Sequence, residues 1–286
     1  MKSKKRGLLI ACAVIVALAV TLAIASPFIK DGIGMLIARR YIGQDLKNVD
    51  NIVLAADCAE VDGNRNSVAG VKEAVRLGAD AVVVDLCFRA DGTPVMTDRY
   101  EDNEAAQTVE ELFREMNGEK YKDVKIYLNI VQLSTLTELN HIAVKYNMVG
   151  RTYLIGIDES HYSLVTSDST IVPFLLKYKI TQKDTQAIAD GKFSAPECIA
   201  KYGAGGLEID ADDVSAEVVT ALNDFGIPFI VSGIESTSDF CKVLLNGAGT
   251  VYVNDIESCA KVLDNWISAM QQRYSLSVEQ SIKNEE

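Results

Sequence analysis

Two carboxylates frame the stretch Val82–Asp98, VVVDLCFRADGTPVMTD. Asp85 closes one strand-like run, Asp91 and Gly92 form a tight turn, and Asp98 ends the run that returns. Comparable groups stand at the ends of other apolar runs: Asp57 with Cys58, Cys87 beyond Asp85, Asn129, Asp158, Glu208 with Asp210, Glu235, and Asn254 with Asp255. Charged oxygens brought together this way suit a hard divalent cation such as calcium or magnesium. The expected cation set is Asp85 with Asp57 and Asn129, and the expected ligand-contacting set is Asp57, Asp98, Asn129 and Asp255. The favoured expectation is that these acids are simply solvated at the rim, with no confident cofactor, and the cation set is the alternative.

Other chemistry is thinly represented. The chain holds two histidines, His141 inside a helix-period stretch and His161 after Asp-Glu-Ser, so no histidine pair stands ready to move protons. The cysteines are 12, 58, 87, 198, 241 and 259, with no Cys-x-x-Cys, which matches neither a zinc site nor a dense disulfide framework. Cys58 and Cys87, read as pointing into one site, are expected as two free buried thiols, with a disulfide as the alternative; a thiolate nucleophile would lack a neighbouring histidine.

The elements that must position these groups alternate in type. Eight strand-like runs, NIVLAAD, ADAVVVD, VKIYLNIV, TYLIGI, TIVPFLL, GGLEID, IPFIVSG and GTVYVND, are separated by stretches of helical period, several ending in Gly. Ser67, Thr108, Ser215 and Ser236 stand where N-caps belong. Strands apolar on both faces, interleaved with helices, predict a parallel sheet, and eight units predict an α/β fold closed as a (β/α)8 TIM barrel rather than a doubly wound open sheet. The ends of the strands then form the mouth. Trp266, spaced with Val262 and Met270, is expected to pack the last helix, and the polar tail after Tyr274 to fray.

The N-terminus differs from the rest. Residues 1–7, MKSKKRG, form a basic tail, and residues 8–29 are an apolar run with no charge from Leu8 to Ala25. That length favours one transmembrane helix, with Ala23 and Ala25 leaving a cleaved signal peptide as the alternative. The basic tail would stay in the cytoplasm and the barrel would be extracytoplasmic at the cell membrane, or secreted after cleavage. Residues 30–46 read as a juxtamembrane helix or linker, or as a segment packed on the domain; 47–265 form the barrel, and 266–286 the end of the last helix and the tail. The formal net charge is -12, and removing the four cations of residues 1–7 leaves -16, which makes nucleic acid an unsuitable partner. The expected partners are the membrane, through the N-terminal helix, and a ligand or protein at the mouth.

The order IVLAADCA, then NRNSVAGVKEAVRLGADAVVVDLCFRADGTPVMTD, resembles the opening of the glycerophosphodiester phosphodiesterase family, and GIPFIVSGIESTSDFCKVLLNGAGTVYVND resembles its final units. The resemblance spans about Lys47 to Leu263. It implies a barrel that hydrolyses phosphodiesters with two histidines and a carboxylate-held divalent cation. It also places the histidines at Ala56 and Thr97, the metal-binding acids at Val83, Asp85 and Val131, a lysine at Leu133 and a phosphate-gripping arginine at Asp57. With one acid kept, the resemblance leads to a catalytically inactive barrel that acts as a binding or scaffold module. The alternative is a phosphoric diester hydrolase of altered mechanism or substrate.

Overall fold

The computed structural model describes residues 34–99, 104–167 and 170–285, and within them the expected strands close on themselves. The elements are β1 (Val53–Asp57), α1 (Val68–Arg76), β2 (Ala81–Phe88), β3 (Pro94–Met96), α2 (Val109–Met116), β4 (Lys125–Ile130), α3 (Thr137–Lys145), β5 (Thr152–Ile157), α4 (Tyr162–Ser167), β6 (Phe174–Lys177), α5 (Gln182–Ala189), α6 (Ala195–Tyr202), β7 (Gly206–Asp210), α7 (Ala216–Asp224), β8 (Phe229–Ile234), α8 (Thr237–Asn246), β9 (Thr250–Val253) and α9 (Ile256–Glu285). Eight strands run parallel in the order β1-β9-β8-β7-β6-β5-β4-β2, and β2 returns to β1, so the sheet is a closed barrel and not a doubly wound one. The short β3 pairs antiparallel with β2 across the Asp-Gly turn.

Local chemistry explains the boundaries. Ser67 accepts the Gly70 N–H at 3.0 Å, and Ser215 and Ser236 accept the N–H groups of Val218 and Asp239, while Thr108 and Glu111 form a reciprocal capping box. Gly247 ends α8 with φ +100, a conformation that L side chains rarely take. Helices α4, α5 and α6 are six, eight and eight residues long and were not marked in the sequence.

Two apolar layers result. The larger lies between strands and helices and includes Leu54, Ala56, Cys58, Val82, Val84, Leu86 and Trp266. The smaller fills the barrel: Ala55, Ala81, Val83, Tyr127, Ile155, Leu175 and Ile230, with Val53, Tyr153 and Tyr252 against them.

The segment before β1 packs on the barrel, as one of the two expectations had it. Residues 34–38 are helical, Ala38 and Leu46 are buried, and Tyr41 Oη meets Ser238 Oγ at 3.0 Å. The Trp266 indole N–H donates to the Gln44 carbonyl at 2.8 Å, and Arg273 donates to the Ile42 carbonyl at 2.7 Å. Trp266 is fully buried, as expected. The tail does not fray at Tyr274: α9 continues to Glu285, with Arg273 and Tyr274 both bonded to Asp45. Residues 1–29, which carry the basic tail and the apolar run, lie outside the described residues. Among the described residues no helix is long and apolar enough to cross a membrane.

Candidate functional site

Alternation along the strands decides which side chains reach the mouth. On β2 the inward series is Ala81, Val83, Asp85 and Cys87, and on β4 it is Tyr127 and Asn129, as the sequence predicts. On β1 the series is Val53, Ala55 and Asp57. Ala56, expected at the first histidine position, faces the helices instead, and so does Cys58, which was expected to point inward. The reason is that LAA is apolar throughout, so the run offers no polar residue to fix its phase.

Asp85 is the best-bound acid of the mouth. One carboxylate oxygen accepts the Asn129 amide at 2.7 Å and the other the Asn66 amide at 3.1 Å. Asn66 cannot turn around, because its own oxygen accepts the Asp85 backbone N–H at 2.9 Å. Asp57 accepts a hydrogen bond from the Tyr252 hydroxyl. Burial pushes the Asp57 carboxyl above its ordinary range, the Tyr252 bond pulls it back, and the charge of Asp85 pushes it up again. Burial likewise raises the Tyr252 hydroxyl, reinforced by Asp57. Glu208, 5% exposed, accepts the Gly156 N–H at 2.9 Å. Gly156 has φ +74, and a Cβ there would come within 2.3 Å of Asn129 Oδ1, so β5 passes the Asp85 cluster at a separation only glycine allows. Lys177 lies opposite Glu208 in the β6–β7 register and places a cation at the mouth.

The remaining expected residues are dispersed. Asp98 is exposed, 4.0 Å from Arg99, and lines a cavity of about 560 Å³ with Asn66, Thr97 and Arg65, so it does not join Asp57, Asp85 and Asn129. Asp255 accepts the Ser258 N–H at 3.1 Å at the start of α9, and lines a second cavity of about 380 Å³ with Glu235 and Asn254. Asp210 accepts the Asp212 N–H at 3.0 Å. Thr97, at the second histidine position, is 7% exposed and closes a turn through Arg99, whose N–H it accepts at 3.1 Å. Val131 is 43% exposed, and Leu133 packs on the outer core.

The two histidines stand beside carboxylates other than Asp57 and Asp85. His141 on α3 faces Glu138 at 3.8 Å, and His161, after β5, has Nδ1 3.1 Å from Asp158 Oδ1. Cys58 and Cys87 are both buried and free. Burial pushes the Cys58 thiol up to about 12 and raises Cys87, whose Sγ lies 3.4 Å from the Thr97 carbonyl. Neither suits a thiolate nucleophile.

The donors at the mouth do not make a divalent-cation site as arranged. Calcium takes 6–8 oxygens, roughly, several of them charged. Both Asp85 oxygens already hold amide N–H groups, the Val83 side chain offers no oxygen, and one Asp57 oxygen is taken by the Tyr252 hydroxyl. Among the described residues no group of three or more His, Cys, Asp or Glu is placed to hold a metal ion.

The barrel has the fold of the glycerophosphodiester phosphodiesterases. Solved structures similar to the chain include a phosphodiesterase of Oleispira antarctica in complex with the product sn-glycerol-3-phosphate (TM-score 0.56, 13% identity, 74% of this chain and 96% of the other). Glycerophosphodiester phosphodiesterases of Agrobacterium tumefaciens (0.53, 12%, 74% and 99%) and Thermotoga maritima (0.51, 17%, 74% and 97%) are also similar. No family model matches the sequence, and no curated protein matches it.

Sequence reasoning missed Asn66, Tyr252 and Lys177. Strand parity was a usable signal for two of them: Tyr252 is two residues before Asn254, and Lys177 two after Leu175. Asn66 stands in the Arg-Asn-Ser before α1 and had no signal that it would bind Asp85.

Proposed function

We propose that the chain is a membrane-tethered, extracytoplasmic relative of the glycerophosphodiester phosphodiesterases that binds at its mouth and does not hydrolyse phosphodiesters. The observation that carries this reading is the hydrogen-bonded closure of Asp85 by Asn66 and Asn129. The one acid kept from the family set is committed to two amides, and the side chains that would complete a cation site are valines. Neither family histidine position supplies a proton carrier to it, since Thr97 serves a turn and Ala56 faces the helices. General acid-base catalysis contributes about 100- to 10,000-fold in rate, and the metal several kcal/mol beyond that, so losing both removes the family mechanism. The tether rests on the apolar run of residues 8–29 and the basic tail before it.

A hydrolase of altered mechanism is the rival reading, favoured by the pairing of His161 with Asp158 at the rim. Calorimetric titration of the full chain with calcium and with magnesium separates the two. The expected outcome is no saturable heat at millimolar ion; saturable binding that Asp85→Ala abolishes would overturn the reading.

A further inference from the structure

The described chain begins at the mouth. Gly34 and Ile37 line the cavity of about 380 Å³ with Glu235, Thr237, Asn254 and Asp255, which follow β8 and β9 at their C-terminal ends. A Cβ on Gly34 would stand 3.0 Å from Thr237 Oγ1. From there the chain descends the outside of the barrel. Tyr41 meets Ser238 at the start of α8, Gln44 meets Trp266 midway along α9, and Asn48 donates to the Gly247 carbonyl at the far end of α8. β1 then starts at the end opposite the mouth.

The apolar run of residues 8–29 ends five residue steps before Gly34. Whatever their path, five steps reach at most about 18 Å. A domain of this size is about 45 Å across. If the run spans a bilayer, the tether is too short to pass around the domain and present its opposite end to the membrane. The exposed groups near this end agree. Leu36 is 63% exposed, with Arg39 and Arg40 exposed three and four residues on, and Val131, just past β4, is 43% exposed. An apolar side chain followed by arginines, as at Leu36, suits a headgroup interface, where the cation reaches phosphate and the apolar neighbour the acyl boundary.

We infer that the mouth of the barrel faces the bilayer, with Leu36 and Val131 at the lipid surface, so that the groups the mouth meets are lipid headgroups and not soluble ligands. The inference rests on the reading of residues 8–29 as a retained anchor.

The test uses the full chain reconstituted in phosphatidylcholine vesicles containing a lipid with a headgroup-level nitroxide. An environment-sensitive fluorophore is attached to Val131→Cys or Leu36→Cys at the mouth, and to Ile171→Cys or Phe225→Cys at the opposite end, all exposed positions. Labelling of the unsubstituted chain is subtracted. Quenching at the mouth positions is expected to exceed that at the far positions by at least about threefold, given a separation comparable to the domain diameter. Equal or reversed quenching in chains that float with the vesicles overturns the orientation alone. Chains that do not float with the vesicles overturn the anchor, and the orientation with it.

Discussion

Replacing Tyr252 with Phe removes one hydroxyl, the donor to Asp57, and leaves the ring in the barrel. A hydrogen bond to a charged group contributes about 1.5–3 kcal/mol, against about 0.5–1.5 for a neutral pair. The cost therefore depends on whether Asp57 is ionised. Its carboxyl is held above the ordinary 3.8 chiefly by burial, and the Tyr252 bond is the largest opposing influence. A carboxyl raised in the folded state gives stability that is fully present below the unfolded value and is lost as pH rises through the folded one. Tyr252→Phe raises it further, so the variant loses most on the alkaline side. The expected loss is about 2 kcal/mol at pH 7.5, or about 4–8 °C in Tm for a domain of this size, shrinking to about 1 kcal/mol as pH falls toward 4. Urea unfolding of the full chain in detergent, followed by the emission of the single buried Trp266, measures both values. In an Asp57→Asn background the substitution should cost about 1 kcal/mol at either pH. A loss equal at pH 7.5 and pH 4, or none, would refute the placement of Asp57 as a buried acid held by this hydroxyl.

Gly156→Ala should lose more than about 2 kcal/mol in the same assay, because the new methyl meets Asn129 at 2.3 Å and the backbone stays at φ +74. Asn66→Ala should cost about 1–3 kcal/mol by stranding the Asp85 N–H and one of its oxygens. Cys58, with its thiol pushed up to about 12, should resist iodoacetamide at pH 8 in the folded chain while the half-buried Cys198 reacts, as peptide mass mapping would show.

How much of this was legible in the sequence follows from how each signal is encoded. The strands and the caps at Ser67, Thr108, Ser215 and Ser236 were readable because they rest on local periods and single hydroxyls. The phase of β1 was not, since Leu54, Ala55 and Ala56 are all apolar and buried, so both faces look alike; Asp57 at the strand's end was the only polar marker. The Asp85 cluster joins residues from the loop before α1, from β2 and from β4, and such a triangle has no spacing in one dimension. The Asp57–Tyr252 bond closes the barrel between its first and last strands, and only the closed topology brings those two together. The length of α9 was underestimated because its last turns are polar, while Arg273 and Tyr274 anchor them to Asp45, more than two hundred residues away in sequence.

The central claim is that the barrel has kept the phosphodiesterase framework and lost its catalysis. Incubating the full chain with glycerophosphocholine and related glycerophosphodiesters, with calcium or magnesium, tests it most directly. The account predicts no glycerol phosphate above the uncatalysed background, and no change on Asp85→Ala or His161→Ala. Turnover that either substitution abolishes would contradict it.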